Sequence, residues 1–135
     1  MAALKTNEPW VVLPDGGNAG VDVVRFHGTV VAKILWLREL RYPSMCRVRM
    51  AAALNGGLPH SVARSRGTWT TVGHELGWEL LHNGVGIGEL SCAAPGRQIC
   101  DGVIAGLNML PGRRPEACEP LPVTPVVERH LRLVR

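Results

Sequence analysis

The chain is short of the features that mark a specialised protein class. It has one Phe and one Tyr in 135 residues, so apart from its four tryptophans the core must be built from aliphatic side chains. Its four cysteines, Cys46, Cys92, Cys100 and Cys118, form no C-x-x-C pair, which excludes a zinc ribbon or a thioredoxin-like motif. Buried free thiols are then the default, with Cys92, Cys100, Cys118 and His82 as one irregularly spaced set that could gather around zinc. No apolar run approaches the roughly eighteen residues that span a bilayer, and none follows Lys5 as a signal peptide requires. The expected setting is the cytoplasm, with no membrane partner. No internal repeat is visible.

What is present describes one folded domain. A chain of this length, 46% hydrophobic and 19% charged, can bury a core without disulfides. The net charge of +4 comes from thirteen Arg against two Lys, a balance that suits solubility and permits contact with nucleic acid or an acidic protein. The arginines placed to serve such a face are Arg38, Arg41, Arg47 and Arg49, and near the end Arg129, Arg132 and Arg135.

Trp10 to Leu13 reads as a strand closed by the turn cluster Pro14 to Gly17, and Val21 to Phe26 as a second strand. Val30, Ile34 and Leu37 recur at helical spacing, which predicts a helix over 29–41 stopped by Pro43. Cys46, Val48 and Met50 alternate with Arg47 and Arg49, the pattern of a half-buried strand running on to Leu54. A second helix is predicted from Thr68, ending at Asn83 and Gly84, with Trp69, Val72, Leu76 and Leu80 on its core face and His74, Trp78 and His82 opposite. A third is expected between Ile99 and Leu110. Residues 1–111 then make one compact domain and 112–135 a proline-rich basic tail, with a short terminal element from Val126 to Arg135.

The one stretch suggesting chemistry is Gly73 to His82, GHELGWELLH. Zinc hydrolases use H-E-x-x-H because residues four apart on a helix share a face, so that two imidazoles reach one ion while the glutamate deprotonates its water. Here His74 and Glu75 are followed by Trp78 at the second ligand position, and an indole has no lone pair to offer. Residues 71–82, TVGHELGWELLH, resemble the active-site helix of the ImmA/IrrE zinc metallopeptidases, and Cys100 to Pro111, CDGVIAGLNMLP, resembles that family's downstream helix. The resemblance implies a small α+β domain: a mixed sheet, a zincin-like active-site helix and two further helices. It implies Glu75 as general base, His74 as a zinc ligand and Asp101 as a recruited one, with Ile99 standing where the family has its third ligand. With two of three ligands replaced, it describes a degenerate, inactive metallopeptidase that acts, if at all, by holding a regulatory protein. His82 cannot repair the site on a helix, because eight residues separate it from His74 by about 12 Å.

Gly84, Gly86 and Gly88 spell G-x-G-x-G, yet a nucleotide fingerprint needs a strand before it and a helix after it. Two other readings stand beside the metallopeptidase-like one. One is a non-enzymatic arginine-rich binding module for nucleic acid or an acidic protein, and the other is a chain without a selected function.

Overall fold

The computed structural model describes residues 8–56, 68–75, 77–92, 96–108 and 118–121. The loop carrying Pro59, Arg64 and Arg66, and the expected element from Val126 to Arg135, lie outside them. The elements are β1 (Trp10–Pro14), β2 (Val21–Phe26), β3 (Thr29–Trp36), α1 (Pro43–Leu54), β4 (Trp69–His74), β5 (Gly77–His82), β6 (Val85–Cys92) and α2 (Gly96–Asn108). The fold is α+β. Its six strands form one sheet in the order β1-β2-β3-β6-β5-β4, with every neighbouring pair antiparallel.

Three expectations are corrected, each because the decisive spacing was ambiguous. Thr29–Trp36 is a strand, since positions four apart share a face in a strand as well as in a helix. Burial settles the period at two, with Ala32 and Ile34 buried while Lys33 and Leu35 are exposed. Pro43 does not stop a helix but starts one, occupying a first-turn position of α1 where its missing N–H costs nothing. There Cys46, Met50, Ala53 and Leu54 are buried at helical spacing and Val48 is exposed. Residues 69–82 form the hairpin β4–β5, so the sheet is antiparallel rather than mixed and the zincin-like helix is replaced by two strands. Asn83-Gly84 is a hairpin turn instead of a helix stop, with φ positive at both residues (54° and 84°) as a type I′ turn requires.

The fold also contains a repeat that the sequence hides. Each half of the chain is three antiparallel strands followed by a helix, and the halves meet where β3 pairs with β6. His27-Gly28 makes the same turn as Asn83-Gly84. The register shift at Val24/Arg25 in β2 recurs fifty-six positions on, at Leu80/Leu81 in β5. At the junction Ile34 faces Leu90, its own counterpart by the same offset, which places an approximate two-fold axis through that pair.

Each half closes with the same clamp. The Trp10 backbone N–H donates to Asn55 Oδ1 (3.1 Å) and Asn55 Nδ2 donates back to the Trp10 carbonyl (2.9 Å). The Trp69 N–H donates to Asn108 Oδ1 (2.8 Å) and Asn108 Nδ2 to the Trp69 carbonyl (3.1 Å). An asparagine at each helix end thus replaces the sheet neighbour that an edge strand lacks. Asn108→Ala leaves both Trp69 backbone groups without these partners and should cost about 1–2 kcal/mol, read as a lower midpoint in urea with unchanged slope.

Both helices pack on one face of the sheet. The core joins Ile34, Leu80, Leu90 and Trp69 from the strands to Met50, Ile99, Val103 and Ile104 from the helices. On the other face Leu13, Leu35 and Val72 are exposed. Residues 118–121 run alongside the β3–α1 connection: Leu40 bridges Pro120, the Arg41 N–H donates to the Glu119 carbonyl (2.8 Å) and the Leu121 N–H to the Glu39 carbonyl (2.7 Å). Among the described residues no helix is long and apolar enough to cross a membrane.

Candidate functional site

A pocket opens between the β1–β2 loop, the β3–α1 connection and the first turns of α1, with Asp15, Asn18, Asp22, Trp36, Arg38 and Arg47 among its walls. Its central group is Asp22, only 4% exposed. Strand alternation turns it to the helix-bearing side together with Val24, into space that an apolar side chain would otherwise fill. The Arg47 guanidinium donates from Nη1 to Asp22 Oδ1 (3.1 Å), and the Trp36 indole donates to Oδ2 (2.9 Å). With both oxygens engaged, Asp22 serves to hold Arg47 and Trp36 in place. Arg47 also reaches Ser44 Oγ (3.3 Å), and its side chain remains 20% exposed at the pocket. At the rim, Asp15 accepts from Asn18 Nδ2 and the Gly17 N–H, which hold its carboxyl below the usual range.

The two-fold relation shows that this chemistry belongs to one half. The counterparts of Asp22 and Trp36, fifty-six positions on, are Trp78 and Cys92. Sequence reasoning did not single out Asp22. The available signal was a carboxylate inside the β-rich run Val21 to Val24, where it has to meet a cation or a donor.

Of the residues singled out around GHELGWELLH, His74, Glu75 and Trp78 line one open pocket together with Glu89 and Ser91, and Asp101 is not among its walls. His74 ends β4 on the face away from the helices, with its side chain 56% exposed and Nε2 3.4 Å from Glu79 Oε1. Glu75 lies in the turn that follows. Asp101 is on α2, whereas His74 ends β4 on the face away from the helices. Trp78 faces the helix side, over Gly73 and 5.5 Å beneath the Arg97 guanidinium, in a cation–π contact. Ile99 is fully buried in the core. Among the described residues no group of three or more His, Cys, Asp or Glu side chains is arranged to hold a metal.

The glycines of G-x-G-x-G have a packing role. Gly84 supplies the positive φ of the turn, the Glu79 carboxylate lies over Gly86, and the Trp36 ring lies over Gly88, its partner in register. Of the arginines first considered as an exposed face, Arg49 is buried at 8% and Arg47 is tied to Asp22, which leaves Arg38 and Arg41. Arg129, Arg132 and Arg135 lie outside the described residues. The described residues hold seven Lys or Arg and nine Asp or Glu, whereas the remaining segments hold eight and two. The positive balance of the chain therefore resides outside the described body.

His82 stands at the end of β5 with its ring 5.1 Å from Trp69, as Phe26 stands 4.7 Å from Trp10 in the other half. Its Nε2 is buried and meets no hydrogen-bond partner among the described residues. Burial lowers its pKa below the ordinary 6.5, against a smaller opposing pull from Glu119. Above that value neither state is protonated. As the pH falls below it the unfolded chain takes up the proton first, so this contribution to stability is lost in the acid direction. His82→Phe, copying the other half, should raise stability by about 1 kcal/mol near neutrality. The gap over the wild type should widen between pH 6.5 and 5 in urea titrations at each pH.

No family model, curated protein or solved structure matches the chain.

Proposed function

We propose that the chain is a non-enzymatic binding module whose partner is nucleic acid, held through phosphate contacts from arginine. The observation that carries this reading is the strap at 118–121. It pins the root of the segment that bears Arg129, Arg132 and Arg135 against residues 39–41, which include the exposed Arg41 and follow the half-buried Arg38. Glu39 and Glu119 offset Arg38 and Arg41 locally, and the segment beyond Leu121 adds three Arg against one Glu. Guanidinium groups offer paired donors that suit phosphate oxygens, which favours this partner over a diffuse acidic surface. The four free cysteines suit the reducing cytoplasm, and the reading assigns no cofactor. A metallopeptidase-like reading has less support, because the one-helix geometry that its ligands need is occupied by a hairpin.

The test is anisotropy of a labelled DNA duplex across a salt series. Binding at low salt should weaken as salt rises, and Arg129→Gln, Arg132→Gln and Arg135→Gln together should reduce the log–log slope by up to about 2.7. Arg97→Gln, in the other half, should leave the slope unchanged. Absence of binding at low salt would remove the proposal, and retention of an acidic polypeptide without DNA would replace the partner.

A further inference from the structure

The second half of the chain shows what the pocket of the first half is shaped to hold. Asp22, Ile34, Leu90 and Trp78 form one row across the sheet, so Asp22 and Trp78 occupy equivalent places about the two-fold axis. Their neighbours correspond as well. Pro14 pairs with Asp22 as Gly73 pairs with Trp78, Trp36 precedes Cys92 by the same fifty-six positions, and Pro43 opens α1 as Gly96 opens α2. In the second half the Trp78 indole fills the common space. Its ring would lie 3.0 Å from a Cβ at Gly73 and its Nε1 3.2 Å from one at Gly96, beside Cys92, and the Arg97 guanidinium lies 5.5 Å over its face. In the first half Pro14, Asp22, Trp36 and Pro43 instead wall an open cavity of about 570 Å³. We infer that this cavity binds a purine nucleotide, whose fused six- and five-membered base takes the place that the indole occupies in the other half.

The polar groups of the cavity match a nucleotide better than a plain indole. Arg47, held by Asp22 and still 20% exposed, offers the base a planar cation, as Arg97 does for Trp78. The Asp15 carboxylate is fixed by Asn18 Nδ2 and the Gly17 N–H, both at 3.1 Å, which makes it a directed acceptor for the exocyclic amino group of adenine or guanine. Glu39 is a further acceptor on the wall, suited to the ribose hydroxyls, and the half-buried Arg38 supplies paired donors for the phosphate. The fold itself does not call for these charges. The counterparts of Asp22 and Arg47 are Trp78 and Cys100, so the second half completes the same architecture with side chains that carry no charge. A buried ion pair is weak grounds for stability, and this one borders a cavity that its counterpart lacks.

The same chemistry is presented by a free nucleotide and by an unstacked base of a single strand. The site uses no residue beyond Leu121, so it goes beyond the arginine-based reading of the chain and does not depend on it.

The experiment is calorimetric titration of the full chain with adenosine monophosphate, joined to nitrogen–proton correlation spectra of the tryptophan indoles. One saturable site per chain is expected. The Trp36 indole N–H resonance, assigned with Trp36→Phe, should shift on binding while that of Trp78 stays in place. Uridine monophosphate, with a single ring, should bind at least about tenfold more weakly, and Asp15→Asn and Arg38→Gln should each weaken adenosine monophosphate by about tenfold. Arg97→Gln, in the other half, should leave the affinity unchanged. Circular dichroism confirms that each variant is folded, and the two rim substitutions stand in for each other if one is not. Failure to saturate at millimolar nucleotide overturns the assignment, as does equal affinity for uridine monophosphate or binding that leaves the Trp36 indole unmoved. A single-stranded oligodeoxyadenylate that displaces the nucleotide assigns the base to a strand, and one that does not assigns the site to a free nucleotide. Nucleotide binding by a chain that ignores duplex DNA would sink only the duplex proposal, and duplex binding without nucleotide binding would sink only this one.

Discussion

Gly106→Val should be the most damaging single substitution in the described body, lowering the melting temperature by about 10 °C through a loss of about 3 kcal/mol. A Cβ at Gly106 would run into the Met50 backbone and lie 2.6 Å from the Arg49 carbonyl oxygen. The obstacle is main chain of the facing helix, so no rotamer change relieves it. The helices can separate only by opening the contacts that bury Met50, Val103 and Ile104, all fully buried. Part of the expected gain in helix propensity on replacing glycine is recovered, but it amounts to less than about 1 kcal/mol. Against a typical domain stability of about 5–15 kcal/mol, the net loss is a large share. Gly16→Ala is the control, because a Cβ there meets nothing within 4 Å. Thermal unfolding of the two variants beside the wild type separates a specific close approach from a general intolerance of added methyl groups. A Gly106 variant that melts with the wild type would show that the helices do not cross at this distance.

Asp22→Ala is the second. It removes the acceptor for Arg47 and for the Trp36 indole together, leaving a guanidinium at 20% exposure and a part-buried N–H without that partner. Breaking a buried ion pair from one side costs about 3–5 kcal/mol. Residual exposure of Arg47 lets water recover part of this, so about 2–3 kcal/mol is expected. Arg47→Met should cost about as much, since it strands a carboxylate that is 4% exposed. The double variant Asp22→Ala/Arg47→Met should be less destabilised than the sum of the two, with a coupling of about 1–3 kcal/mol in urea denaturation. Additive losses would mean that the pair does not interact in solution. Trp36 fluorescence should change in the Asp22 variant as the indole loses its acceptor.

The sequence was clear where local signals agree. Val21–Phe26 and the start of β1 at Trp10 were legible because β-branched runs end in glycine-bearing turns, and α2 because its apolar positions recur without alternation. It misled where one pattern serves two structures. The spacing Val30–Ile34 fits a strand face as well as a helix face, Pro43 both ends and begins helices, and Asn83-Gly84 both caps a helix and turns a hairpin. The candidate pocket was hidden because Asp22, Trp36 and Arg47 come from three elements.

By itself the sequence determined the α+β class, the two opening strands, the last helix, the absence of a C-x-x-C motif and an arginine-based positive charge. Tertiary structure alone decided the rest. The repeat escaped sequence comparison because its connections differ in length: Trp10 and Trp69 are fifty-nine positions apart, Gly28 and Gly84 fifty-six, Asn55 and Asn108 fifty-three. A fixed offset never aligns the three matches, whereas strand pairing superposes them. GHELGWELLH changed its meaning for a related reason. Its side chains are compatible with one face of a helix, but Trp69 requires Asn108 and Leu80 requires the core beneath α2, and a hairpin satisfies both while leaving His74 on the face away from the helices, one of which carries Asp101. Local spacing offers a choice of conformations, and long-range burial selects among them.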